Sequence, residues 1–431
     1  MNILKKINYI FFLFLKSNFY TFSVETLKFK DLRLIKKYIL YEKIKKKNDI
    51  DFKFEKLFKK KVGKGNILTF GAGRMAFYFL IKNLNFKKKY NDILLPSITC
   101  SVMVNAAVRA GYNPIFYDLD NITLGSSLKN INEKITNKTK IIVAQHTYGI
   151  PCEIDHIEKY CKKNNYFLIE DCALSYGSKY KGKFLGNFGD ISIFSFDRSK
   201  PINTFTGGLL YTKNIKLFNL LKKNYNAVPS LNFNKQIKIY YKIILDCFFS
   251  SPKIFPKFYI IELILKKFKI LKNCYLNSDY TDKFHNDYEY PCKYPLFLKK
   301  IAIIKLSEFN KIAQQRKEFL KSILSLLINN NLEKTIPLSY FNNNNDIVPL
   351  RILLFKNKFD KSKLNFLKYF DENSFWYSGP IDSCPINPKK FGYKTGSCIN
   401  LENNLKNFIN LPCNHNKKNL IDIEKIIKKN L

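Results

Sequence analysis

Between Ile67 and Thr212 short apolar runs alternate with amphipathic stretches, at a spacing few folds can satisfy. The runs are "ILTF" (67–70), "DILLP" (92–96), "PIFYDLD" (114–120), "KIIVAQ" (140–145), "YFLIED" (166–171), "DISIFSF" (190–196) and "GGLLYT" (207–212). A strand with one wet face alternates apolar and polar residues. Near-continuous apolar runs belong to strands covered on both faces. Between them lie helical segments: "RMAFYFLIKNL", "SVMVNAAVRAG" and "EIDHIEKYCKKNN". Strand–helix–strand units of this length predict an α/β fold with a mostly parallel central sheet and helices on both faces.

At 431 residues, the chain is long for one core and sufficient for two. Four stretches differ in character. Residues 1–62 lack Gly and Pro and are Lys-rich, which predicts a basic helical extension. Residues 63–231 hold the α/β pattern. Residues 232–290 mix apolar and Lys positions around Pro252 and Pro256, as packed helices or a membrane-surface segment would; packing is favoured because the apolar positions cover too much of the helix. Residues 291–431 predict a smaller α+β domain, with a long helix near 298–327, a low-complexity loop at Phe341–Asp346, and short strands at "IVPLRILLF", "NSFWYSG" and "INLPC".

The formal charge of +40 raises the question of polyanion binding. The basic residues are almost all Lys; Arg stands only at 33, 74, 109, 198, 316 and 351. Nucleic-acid readers favour Arg for its bidentate fork, and none of their motifs is present, so nucleic acid is not an expected partner. Weak contact with an anionic membrane stays open. The apolar run Tyr9–Leu15 is too short for a span and no small-residue cleavage site follows. The ten cysteines are scattered without CxxC or metal-ligand spacing, so no metal is expected. Unpaired thiols of this kind fit a cytoplasmic protein, with peripheral attachment to the inner membrane left open.

In an open parallel sheet ligands bind beyond the carboxyl ends of the strands. Four features fall there. Gly71-Ala72-Gly73-Arg74 opens a helix, whose N-terminus suits a phosphate or is merely a tight turn. Asp171 ends "YFLIED", where a buried carboxylate needs a cation or donors. Ser195 ends "DISIF", with Lys200 five residues on. His146 follows "IIVAQ" and is as readily a packed imidazole as a catalyst.

The series "GAGRMAFYFL … LPSITC … VAQHTYG … FLIEDCALSYG … GNFGDISIFSFDRSKPINTFTGGLLYT" resembles the DegT/DnrJ/StrS sugar aminotransferases, enzymes of the aspartate-aminotransferase fold type I that use pyridoxal 5′-phosphate (PLP). The likeness runs from about residue 66 to 213 and continues weakly through "QQRKEFL" and "NLPCNH". It implies that Lys200 is the Schiff-base lysine and general acid/base, and that Asp171 pairs with the pyridine nitrogen and keeps it protonated. It also implies that Ser195 and the backbone at Gly73 and Arg74 cup the phosphate, and that Gly207 and Gly208 are the close-packed pair after the lysine loop. Substrates would be an amino-acid donor, usually glutamate, and a keto-sugar on a nucleotide diphosphate, in a homodimer serving surface polysaccharide or glycan synthesis.

Three positions depart from the family's commonest pattern. Cys100 stands where an aromatic residue often stacks on the PLP ring. Leu174 replaces a Gln or His near the ring oxygen. Arg74 replaces a Thr. Arg351 and Trp376 are further candidates for substrate contact, although core or surface roles suit both. The family's dehydratase branch carries His at the lysine position, so Lys200 points to amino transfer. The alternative is a non-catalytic protein of this fold acting as a scaffold or regulator, with or without membrane association.

Overall fold

The computed structural model describes residues 20, 32, 35–36, 48–249, 254, 289–370, 380–381, 388–413 and 416–431. The first described helix, α1 (Asn48–Lys59), precedes β1 (Asn66–Phe70) and α2 (Gly73–Lys82). Then come β2 (Asp92–Pro96), α3 (Ser101–Arg109), β3 (Asn113–Tyr117), α4 (Leu128–Asn132), β4 (Thr139–Gln145), α5 (Ile154–Lys163) and β5 (Phe167–Asp171). A small hairpin, β6 (Lys179–Tyr180) and β7 (Lys183–Phe184), leads to β8 (Ile191–Ser195), β9 (Gly208–Thr212), α6 (Ile215–Tyr225) and α7 (Phe233–Phe249). The long helix α8 (Leu296–Ile328) is followed by β10 (Asn345–Asp346), β11 (Arg351–Phe355), α9 (Ile399–Asn404), β12 (Phe408–Pro412) and α10 (Lys417–Asn430).

The strands predicted between 67 and 212 form one seven-stranded sheet in the order β1-β9-β8-β5-β4-β2-β3. β3, β2, β4, β5 and β8 are parallel neighbours, and β9 runs antiparallel between β8 and β1. This is the expected α/β architecture. Short polar residues start several helices: Ser127 accepts the Asn130 N–H, Asn214 the Leu217 N–H and Asn416 the Asn419 N–H, which satisfies donors the helix itself leaves open.

Two hydrophobic cores flank α8. The larger surrounds the sheet; the smaller is built on the antiparallel pair β11–β12 with α10. α8 is about 50 Å long at 1.5 Å per residue. Leu298, Ile301, Leu306 and Phe309 pack in the larger core, Phe319, Ile323 and Leu327 in the smaller. β11 divides its faces the same way, Ile352 and Leu354 towards the smaller core and Leu353 towards the larger, as the period of two demands.

Within the stretch 1–62, Phe54, Phe58 and Val62 belong to the larger core. Phe54 and Phe58, one helical turn apart, meet Phe196 and Phe194 edge-on at 5.9 and 5.1 Å between centroids. Within the stretch 232–290, Ile239 and Ile243 of α7 are buried in the same core. Most of that stretch, the apolar run Tyr9–Leu15, Trp376 and the expected strand "NSFWYSG" lie outside the described residues. The loop expected at Phe341–Asp346 contains β10, which pairs with β6 through Asn345↔Tyr180 and Asp346↔Lys179; its polar composition concealed a short edge strand. Among the described residues no helix is long and apolar enough to cross a membrane.

Candidate active site

Because β9 is reversed, its first residue, Gly208, lies level with the last residues of its two neighbours, Ser195 of β8 and Phe70 of β1. The glycine pair therefore stands at the edge where the parallel strands end. A methyl group on Gly208 would lie 2.4 Å from both N and Cα of Gly73. One on Gly73 would lie 3.0 Å from Ser195 Cβ and 3.2 Å from its Oγ. Only residues without Cβ allow this approach. The cap residue Ala72 makes no side-chain hydrogen bond to α2, and the first turn holds no acidic residue. The positive end of the helix thus meets Ser195 uncompensated by local carboxylates. Thr206 Oγ1 donates to the Gly71 carbonyl at 2.6 Å, and the Gly71 N–H to the Cys292 carbonyl at 2.9 Å, which pins the turn. Arg74 is 5% exposed, inside the first turn.

Asp171 ends β5 and is buried. Its Oδ1 accepts the Ala173 N–H at 2.9 Å. Burial pushes the carboxyl above the ordinary range; the Ala173 N–H and the Lys200 charge oppose this only in part. Lys200 is half-buried, and its charge reaches Asp171 across the strand ends. The lysine loop is tied at its base: Phe196 N–H donates to Gly207 O at 2.8 Å, Thr204 N–H to Phe196 O at 2.9 Å, and the Thr204 and Tyr294 hydroxyls meet at 2.6 Å. Gly207 has φ +140°, and a Cβ there would strike the Tyr294 ring at 2.4 Å. The Lys200 N–H closes its own turn on Asp197 O at 3.0 Å.

His146 is fully buried. The Cys152 N–H donates to its Nδ1 at 3.2 Å, which places the ring proton on Nε2, 3.1 Å from Glu170 Oε1. Glu170 also accepts the N–H groups of Gly186, Phe188 and Gly189 at 2.5, 2.8 and 3.1 Å. Burial pushes the Glu170 carboxyl up, but the His146 and backbone donors outweigh it, and the group stands below its ordinary range. His146, Glu170 and Cys172 offer ligand atoms within 4.8 Å of one another. The carboxylate oxygens already face N–H donors, which repel a cation, so the cluster is a hydrogen-bonded support. The His146 N–H donates to the Asp171 carbonyl at 3.3 Å, linking this support to the edge.

Cys100 caps α3 beyond β2 as a half-buried thiol. Leu174 is buried, with no side-chain polar atom to offer a ligand. Arg351 is buried at the start of β11. The structure thus groups Gly73, Arg74, Ser195 and Gly208 at one end of the sheet edge, and the Lys200 charge acts on Asp171 there. Glu170, Thr204, Thr206, Tyr294 and Arg316 were not among the sequence candidates. Only Arg316 carried a signal: in a chain that writes Lys almost everywhere, an Arg is chosen for its fork.

Residues 35–226 match the model of the DegT/DnrJ/EryC1/StrS aminotransferase family. A GDP-perosamine synthase of Escherichia coli O157:H7 is 41% identical over 166 residues, 38% of this chain and 45% of that protein. The chain thus spans less than half the length of the curated relatives it matches most strongly. Helicobacter pylori PseC, an aminotransferase in pseudaminic acid biosynthesis, superposes with a TM-score of 0.66 at 19% identity, over 96% of this chain and 99% of its own. An E. coli GDP-4-keto-6-deoxy-D-mannose-3-dehydratase with bound hydrated PLP gives 0.64 at 18%, over 96% and 100%. Since a transferase and a dehydratase share the fold, the fold alone does not choose between the reactions. The matched sequence, the reversed β9 and the glycine-lined edge agree: residues 35–226 of the chain are similar to the DegT/DnrJ/EryC1/StrS aminotransferase family.

Proposed function

We propose that this protein transfers an amino group from an amino acid, glutamate in the first instance, to a keto-sugar carried on a nucleoside diphosphate, using PLP, in a homodimer that serves surface-glycan synthesis. The observation that carries the reading is that the Lys200 charge acts on the buried Asp171 carboxyl, at the sheet edge where Gly73 and Gly208 pack without room for a Cβ.

The residues present fit PLP. The Gly73–Ser195 corner at the N-terminus of α2 suits its phosphate. Asp171 suits the pyridine nitrogen: a buried carboxylate whose proton affinity is raised gains most from a cationic partner. Cys100 lies at the end of β2, and Leu174 follows Asp171 within the same edge. When bound, PLP supplies the electron sink that lets a proton leave the carbon bearing nitrogen. The rest of the work falls to the chain. Asp171 would face the pyridine nitrogen and keep it protonated. Lys200 is the one lysine of the 197–205 loop. Its Nζ is the group that would hold the cofactor and, when free of it, would move a proton between donor and acceptor carbons.

Lys200 also favours transfer over dehydration, the branch that carries His there. The test is borohydride reduction of the protein incubated with PLP, followed by peptide mass spectrometry. The expected adduct sits on Lys200. A glutamate-dependent screen of GDP-, UDP- and dTDP-linked keto-sugars then follows nitrogen transfer. An adduct elsewhere, or none, sinks the reading. An adduct on Lys200 without transfer to any sugar favours the scaffold alternative.

A further inference from the structure

Arg316 lies near the middle of α8, where the helix passes from the larger core to the smaller. It is 4% exposed. Its Nη2 donates to the carbonyl of Pro201, the residue after Lys200, at 3.3 Å. Among the described residues, its buried Nε and Nη1 have no hydrogen-bond partner. The titratable group that acts on it is Cys413, whose thiol burial pushes to about 12, so it is neutral and gives no counter-ion. Burial lowers the Arg316 guanidinium to about 10, still cationic at neutral pH.

A buried cation with two N–H faces unmatched by any described residue is a poor structural element. An apolar side chain of the same length packs there at lower cost. The bond it does make falls on the lysine loop. That loop is tied at its base through Phe196, Thr204, Gly207 and Tyr294, and on its amino side through the Lys200 N–H and Asp197. Arg316 holds the carboxyl side from a different element, one that spans both cores. We propose that Arg316 is the positioning residue of Lys200: by fixing the Pro201 carbonyl it sets the direction from which the lysine side chain leaves the backbone, and it ties that direction to the relative placement of the two cores. This rests on the reading that Lys200 carries the cofactor.

The test uses Arg316→Met and Arg316→Lys in the full chain, with three readouts. In the cofactor-free protein, amide exchange of Ile202 and Asn203 should quicken about tenfold in the Met variant and stay near the parent in the Lys variant. The rate at which borohydride traps PLP on Lys200 should fall about tenfold with Met and recover with Lys. The melting temperature of the Met variant should match or exceed the parent, because an unpaired buried charge has been removed. A side chain that served only the fold would give the opposite pattern: lower melting temperature, unchanged loop exchange and unchanged trapping. That result overturns the proposal. If the parent itself traps no PLP on Lys200 while loop exchange responds as stated, the clamp stands and the cofactor reading fails.

Discussion

Gly73 and Gly208 touch backbone to backbone: an added methyl on Gly208 would stand 2.4 Å from Gly73 N and Cα. No rotamer change relieves such an overlap, since the obstructing atoms are main chain. Gly208→Ala should therefore cost on the order of 3 kcal/mol and open the corner against Ser195. Urea unfolding reads the stability and PLP titration the corner. Parent-like values in both would show that the strand and helix can part without consequence.

Lys200→Ala should remove the borohydride adduct and abolish amino transfer. The side chain is half-buried outside both hydrophobic cores, so the melting temperature should stay within a few degrees of the parent. Residual transfer at the parent rate would assign the chemistry to another group.

Asp171 gives a pH signature. Its folded-state carboxyl stands above the ordinary range because burial disfavours the anion. The folded chain then holds that proton more tightly than the unfolded chain, and stability falls as pH rises from the unfolded pKa through the folded one. Asn cannot ionise. Cofactor-free Asp171→Asn should melt above the parent at neutral pH and lose this advantage in acid, while transfer falls about a hundredfold. Thermal melts across pH 4 to about pH 8 and steady-state rates check both halves.

Glu170 behaves in the opposite sense. Its carboxyl sits below the ordinary range, so its contribution is present above the unfolded pKa and lost as pH falls through the folded one. Glu170→Gln turns an NH₂ towards the N–H groups of Gly186 or of Phe188 and Gly189. The expected cost is about 3 kcal/mol, greatest at neutral pH and shrinking in acid. A urea midpoint equal to the parent at pH 7 would remove Glu170 from the supports of the edge.

The strands were legible because runs such as "KIIVAQ" and "YFLIED" carry their signal within a few residues. Lys200 and Asp171 stood out as residues at or just beyond such runs, and the roles expected of them came from the resemblance of the surrounding motif. Arg316 was not legible: its partner Pro201 lies 115 positions away, and one sequence holds no record of which distant residues meet. Phe54 and Phe58 were read as part of a basic extension because the lysines around them dominate the composition; their one-turn spacing, which buries them against Phe194 and Phe196, is the weaker signal.

By itself, then, the chain's local order determined the alternation of strand and helix and the strand ends beyond which a ligand can sit. The tertiary structure alone decided that β9 reverses to lay Gly208 on Gly73, that Glu170 and His146 brace the edge from within, and that a helix crossing two cores reaches the lysine loop. The physical reason is range. Hydrophobic period and turn chemistry act between neighbours in sequence, whereas close packing and buried polar pairing act between neighbours in space.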